Sequence, residues 1–211
     1  MPRFTRLIEG YRRFRDNEWP NERERWAELA DGQNPKVLVM ACADSRTDPA
    51  MVFDARPGEI FVVRNIAALA PPYETTAGLH GTSAALEFGV TQLEVEEILV
   101  LGHGSCGGCA AALTGQFDGA PPGEGRFIAN WVSMLDSVRD QVRAHHHEVD
   151  AEAVREMEWE AVKLSLGNLR TFPWIADRER SGRLKLHGAH FSIAEGRLYV
   201  LDEVEGTFHP A

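Results

Sequence analysis

Two short apolar runs in this chain end abruptly in polar residues. Val37-Leu-Val-Met-Ala41 runs into Cys42-Ala-Asp44-Ser-Arg46, and Ile98-Leu-Val-Leu101 runs into Gly102-His103-Gly-Ser-Cys106-Gly-Gly. Neither run alternates and both carry β-branched residues, which predicts strands buried on both faces of a parallel sheet. Residues 60–63 predict another strand. Ahead of them, Phe4, Leu7, Ile8, Tyr11 and Phe14 recur at helical spacing, predicting an amphipathic helix over 4–19 with arginines on its other face. Asn21 is placed to cap a second helix reaching about residue 31, with Glu22 and Glu24 in its first turn, and Gly32 and Pro35 end it.

Residues 67–74 are apolar and Pro-rich, hence extended. Residues 75–93 predict a helix despite Gly78 and Gly81, which point to close packing or a kink. A small-residue helix over 106–116 and a Gly/Pro loop over 117–125 lead into two further helices, 127–147 and 150–169, the second capped by Asp150. Residues 183–193 and 197–201 predict strands joined by Glu195-Gly196, a hairpin. Strands alternating with helices and closing on a hairpin predict an α/β fold: a three-layer sandwich with a mostly parallel central sheet, an antiparallel edge strand and an N-terminal helical arm. Residues 1–211 read as one domain, with the arm over 1–32 and the α/β core over 36–203.

Composition narrows the functional classes. The chain has 211 residues, enough for a full core, and its 44% hydrophobic and 26% charged content is ordinary for a globular protein. Net charge is 22 − 32 = −10, which argues against nucleic acid and anionic membranes as partners. No apolar run reaches the roughly 18 residues of a membrane span, and Met-Pro-Arg-Phe-Thr-Arg lacks the apolar segment of a secretory signal. Three cysteines give no disulfide framework, which suits a reducing, cytoplasmic setting.

Chemistry gathers where the apolar runs stop. Ligands of parallel sheets bind beyond the carboxyl ends of the strands, and two adjacent strands would bring Cys42, His103 and Cys106 to one such edge. Two thiolates and an imidazole are a catalytic zinc set, one position short of tetrahedral closure. Each residue alone would read as core; what distinguishes the three is their place at the polar ends of apolar runs. Asp44 is placed to orient the nucleophilic water, and Arg46, two residues on, to hold Asp44 off the metal by a bidentate pair. Gly107 and Gly108 offer unshielded N–H groups that favour a thiolate at Cys106 and an anion nearby. Cys109 completes a Cys-x-x-Cys but reads as a buried apolar residue. His80 is a candidate proton shuttle, with a packing histidine as the plain alternative. His145, His146 and His147 read as solvated, and His187, His190 and His209 as structural or surface residues.

Cys-x-Asp-x-Arg after one strand and His-x-x-Cys-Gly-Gly after a later one resemble the β-class carbonic anhydrase family. Pro57-Gly58-Glu59, Phe61-Val-Val-Arg-Asn65, Pro71-Pro-Tyr73, Gly81-Thr-Ser-Ala-Ala-Leu-Glu87 and Leu186-His-Gly188 resemble family segments in the same order, so the likeness spans about residues 36–203. It implies reversible hydration of CO2 to bicarbonate and a proton, one Zn²⁺ per chain, the Asp44–Arg46 dyad, and a CO2 pocket lined by Phe61, Val63 and Phe88, partly across a subunit boundary. It also implies a homodimer or tetramer whose N-terminal helices pack on a neighbour. Three positions depart from family patterns. Val39 stands where some members carry the Trp of a regulatory bicarbonate site, Arg56 where plant-type members often carry Gln, and Ala68 closes a segment that elsewhere reads Arg-Asn-x-Ala-Asn. The rival readings are CS2 or COS hydrolysis on the same fold, a non-catalytic zinc-binding protein and, weakest, a Cys106–Cys109 thiol oxidoreductase.

Overall fold

A computed structural model of the chain describes residues 2–211 and divides it into two compact units, Met1–Asn34 and Pro35–Ala211. In the first, helix α1 (Arg3–Arg13) runs into a wider π-helical turn, Phe14–Glu18, and α2 (Arg23–Ala30) follows. Phe14 meets Trp26 edge-on, with ring centroids 5.8 Å apart. Asn21 does not cap α2 as expected. Its amide donates instead to the Asn17 carbonyl at 2.8 Å, and Glu22 takes the capping position without a side-chain bond.

The second unit is built on a six-stranded sheet. In chain order, β1 (Val37–Cys42), α3 (Pro49–Val52), β2 (Ile60–Asn65), α4 (Gly81–Glu87) and β3 (Glu97–His103) lead to α5 (Gly107–Thr114), α6 (Arg126–Val132) and α7 (Asp136–His145). Then come α8 (Ala151–Leu169), α9 (Pro173–Arg180), β4 (Lys185–Ser192), β5 (Arg197–Asp202) and β6 (Thr207–Pro210). The sheet order is β2-β1-β3-β4-β5-β6. Strands β2, β1, β3 and β4 are parallel, and β4, β5 and β6 form an antiparallel meander.

Several boundaries differ from the sequence reading. The helix expected over 75–93 begins only at Gly81 and ends in a π-helical turn, Phe88–Gln92. A Cβ added at Gly81 would meet nothing within 4 Å, so that glycine marks a helix start rather than a close contact. The helix expected over 127–147 is interrupted by a 3₁₀ turn, Ser133–Leu135. Helix α9 was not anticipated, although Pro173 at its first turn is a start signal. Nor was β6, which at four residues is too short to show a period.

The unalternating runs are buried on both faces because their parities divide between two clusters. Leu38, Met40, Ile98 and Val100 pack with Val162, Leu166 and Leu169 of α8 and with Leu86 of α4. Val39, Ala41 and Leu101 pack with Ala189. Asp150 caps α8 as expected, its carboxylate accepting from the N–H groups of Glu152 and Ala153. Helix α8 lies so close to the sheet that a Cβ at Gly102 would come 2.7 Å from Val162 Cγ2, and one at Gly188 would come 2.9 Å from Val162 Cγ1. Among the described residues no helix is long and apolar enough to cross a membrane.

The fit of α8 on the sheet predicts a coupled pair. Gly102→Ala should destabilise the protein by roughly 1–3 kcal/mol through overpacking. Combined with Val162→Ala, which vacates the contested space, the two losses should be less than additive in denaturant unfolding. Strict additivity would show that Val162 does not set the spacing.

Candidate metal centre

Parallel pairing of β1 with β3, with Ala41 opposite Leu101, brings Cys42 and His103 to the same sheet edge. The chain then turns back through Ser105, at φ 56°, and delivers Cys106 as the N-cap residue of α5. The three potential ligand atoms of Cys42, His103 and Cys106 lie within 4.8 Å of one another, and their residues are 5%, 1% and 2% exposed.

His103 Nδ1 lies 3.0 Å from the Gly104 carbonyl, which can only accept, so Nδ1 carries the proton. Nε2 is left buried without a hydrogen-bond partner. A bond of this kind on the far nitrogen is how a ligating imidazole is usually oriented. Hydrogen bonding to Cys106, then burial, pushes the Cys42 thiol up to about 12. Cys106 is likewise pushed up to about 12, chiefly by its contact with Cys109, which outweighs the opposing effect of Cys42. Burial works most strongly against a charged His103, but the Cys42 sulfur, the Gly104 carbonyl and Asp44 together outweigh it and raise the ring above its ordinary value. Two sulfurs and one unpartnered imidazole nitrogen, buried and convergent, fit a zinc ion with one position left open.

Beside this cluster, Arg46 grips Asp44 in the expected bidentate manner. Nε lies 2.9 Å from Oδ1 and Nη2 2.7 Å from Oδ2, and the Arg46 backbone N–H also donates to Oδ1 at 2.9 Å. These bonds hold the Asp44 carboxyl well below the usual carboxylate range. Cys109 is buried behind Cys106 in a cluster of Ala112, Leu113 and Met157. Gly108 meets the Ile66–Ala67 backbone turn so closely that a Cβ would lie 2.8 Å from Ile66 Cγ2, whereas Gly107 faces open space.

The remaining expected residues are more dispersed. The Phe61 and Phe88 rings lie 6.0 Å apart, and Val63 is buried in the core. None of the three borders the cavity of about 570 Å³ that opens beside Ala43. That cavity is walled by Ile66, Phe127, Ile128 and Trp131, and His80 lies on it. His80 Nε2 is 2.9 Å from the Thr76 carbonyl and Nδ1 is 3.4 Å from Glu74.

Three sets of contacts escaped the sequence reading. Arg64, opposite Ala41 in the sheet, donates to the backbone carbonyls of Cys42 at 2.9 Å and Asp44 at 2.6 Å, and to Asp48 at 3.0 Å. A charge within an apolar strand was the available signal. Trp131 fixes the cavity wall through its Nε1–H to the Ile66 carbonyl at 2.8 Å. Glu158, on α8, accepts from the Cys106 N–H at 2.8 Å while only 3% exposed; its signal was a carboxylate in an apolar helix stripe.

Comparison with known proteins agrees with this geometry. Residues 37–198 match the sequence model of the carbonic anhydrase family. Beta carbonic anhydrase 3 of Arabidopsis thaliana is 36% identical over 90% of this chain and 74% of its own length. The mitochondrial beta carbonic anhydrase 6 of the same plant is 38% identical over 87% of this chain, which spans only 62% of that relative. Among solved structures, the beta-carbonic anhydrase CcaA superposes with a TM-score of 0.91 at 31% identity, covering 99% of this chain and 92% of that one. A beta-carbonic anhydrase of Sordaria macrospora, described as tetrameric, superposes at 0.80 with 27% identity, covering 94% and 96%. With its family match, its relatives and its fold in agreement, the chain belongs to the β-carbonic anhydrase family.

Proposed function

We propose that this protein is a zinc enzyme catalysing the reversible hydration of carbon dioxide to bicarbonate and a proton, with one Zn²⁺ per chain held by Cys42, His103 and Cys106. The observation that carries the reading is the convergence of these three buried donors next to an Asp44 already engaged by Arg46. Zinc in such a site supplies the Lewis acidity that makes water a nucleophile near neutral pH.

The chain's own residues do the rest. Asp44 accepts a hydrogen bond from the attacking water and orients its lone pair, and Arg46 keeps the carboxylate occupied so that the open position stays open. Arg64 holds the backbone that carries both Cys42 and Asp44. The apolar wall of Ile66, Ile128 and Trp131 suits an uncharged linear substrate, and Phe61, Val63 and Phe88 contribute to the pocket, partly across a subunit boundary. The N–H groups of Gly107 and Gly108, at the start of α5, favour the bicarbonate anion. His80, on the same cavity, relays the released proton to solvent.

The working unit we propose is a homodimer or tetramer of a single domain, the α/β core over 36–203 carrying helices over 1–32. Exposed apolar side chains around the edge strand β2, namely Val62, Ile66 and Phe88, support association, as do the exposed Phe4, Leu7 and Tyr11 of α1. Three buried cysteines free of disulfides suit a reducing compartment, the cytoplasm.

Cys42→Ser, His103→Ala and Cys106→Ser should each lose zinc and CO2 hydration together, whereas Cys109→Ser should keep both, read by metal analysis and stopped-flow hydration. Full zinc and turnover in Cys106→Ser would remove it from the ligand set. Asp44→Asn should keep its zinc but lose hydration by about 10²- to 10⁴-fold, the range of a positioned acid–base group. Running the same wild-type sample against COS and CS2 separates the hydrolase alternative, which sulfide release faster than hydration would favour.

Light scattering at micromolar concentration should give at least a dimer, and deletion of the residues before Asn21 should weaken it. A monomeric full-length protein would contradict the assembly proposed.

A further inference from the structure

The peptide unit joining Ser105 to Cys106 is held at both edges. Its carbonyl oxygen accepts from Arg46 Nη2 at 3.1 Å, and its N–H donates to Glu158 Oε1 at 2.8 Å. Ser105, at φ 56°, occupies a left-handed conformation that non-glycine residues rarely adopt, so this turn depends on its neighbours to keep it. The other Glu158 oxygen lies 2.9 Å from His190 Nε2, and His190 is only 2% exposed. A carboxylate among Met157, Ala161 and Val162 on the buried side of α8 is costly unless its oxygens are engaged. Both are engaged here, one by the ligand loop and one by an imidazole. Neither Glu158 nor His190 borders the cavity beside Ala43; both line a separate cavity of about 550 Å³ on the side of Ser105 and Arg155.

We propose that Glu158 is a positioning residue for the metal centre, acting through the Ser105–Cys106 peptide plane. That plane is rigid, so an N–H fixed on one edge fixes the direction of the carbonyl on the other. Glu158 holds the N–H at 2.8 Å. The plane in turn sets the Cys106 sulfur and, through the Ser105 carbonyl, the guanidinium of Arg46 that orients Asp44. Glu158 thus governs two elements of the site, a ligand and the Asp44–Arg46 dyad, while touching the Cys106 backbone alone among their atoms. His190 keeps the carboxylate from turning away. The inference rests on the zinc reading above.

The test compares Glu158→Gln, which keeps one acceptor oxygen for the Cys106 N–H, with Glu158→Met, which keeps the length and offers none. Each protein is measured for zinc affinity by chelator competition, for the thiolate-to-metal and d–d absorption of its Co²⁺ form, and for kcat and KM. Glu158→Met should bind zinc about 10- to 100-fold more weakly, the usual effect of removing a group that orients a ligand. It should also shift the Co²⁺ bands and lower kcat with KM little changed, and Glu158→Gln should recover most of each loss. A folded Glu158→Met with wild-type Co²⁺ bands, zinc affinity and kcat would overturn the proposal, leaving Glu158 a packing residue.

Should Glu158→Met fail to fold, amide exchange in the wild-type protein still decides. The Cys106 N–H should be shifted downfield and exchange far more slowly than that of Gly107, and equal exchange at the two would overturn the proposal. Wild-type protein that takes up no zinc and hydrates no CO2 would instead defeat the functional reading, and the amide measurement would still decide the clamp.

Discussion

The site depends on holding two sulfurs and an imidazole together where water is excluded. Cys42, His103 and Cys106 are brought together there, and both thiols are pushed up to about 12, Cys42 chiefly by Cys106 and Cys106 chiefly by Cys109, with burial adding to each. The His103 Nε2 lone pair has no partner. A cation would reverse the preference for thiols and give that nitrogen a partner. A coordinating thiol is deprotonated outright, and the orphaned nitrogen would become a ligand.

The rest of the unit serves to keep these three groups from moving. Arg64 fastens the loop after β1 through the carbonyls of Cys42 and Asp44, and Glu158 and Arg46 fasten the loop after β3 through one peptide. Helix α8 carries Glu158 and is itself seated on Gly102 and Gly188, with Val162 between them. The distance from sheet to helix is therefore part of the active-site geometry. Ala67 and Ala68 hold positive φ values of 62° and 54° in the turn against which Gly108 packs. Where family members carry Asn at the second of these positions, this chain has Ala, which reaches that conformation less readily.

What the sequence made legible follows from how local each signal is. Strands β1 and β3 announced themselves because a buried parallel strand needs only a short apolar run and a polar stop, and the residues proposed as metal ligands lie at those stops. The Asp44–Arg46 pair was legible because its members lie two residues apart. Asp150 was legible because a cap acts on the next few N–H groups. The bonds of Arg64 and Glu158 were not, since their partners lie 16 to 52 positions away and nothing in the local pattern names them. Trp131 escaped for the same reason, its bond reaching back 65 positions to Ile66. The start of α4 was misplaced because residues 75–80 carry no strong stop signal other than Gly78. The CO2 pocket was assigned by likeness to Phe61, Val63 and Phe88, whereas the cavity beside Ala43 within one chain has other walls.

The parallel pairing of β1 with β3 also fixes when the site can come into being during synthesis. Cys42 leaves the ribosome long before His103 and Cys106, and Glu158 follows Cys106 by 52 positions. Parallel strands pair only after the intervening chain has crossed over, which makes such contacts late and slow to form. The zinc proposed here would thus be acquired by a nearly finished sheet rather than nucleating it, the reverse of small metal-dependent fingers, whose folding is the binding event itself. Growth on limiting zinc would then yield folded, empty protein able to load the ion afterwards, so that metal supply would regulate how much of the enzyme is active rather than how much accumulates.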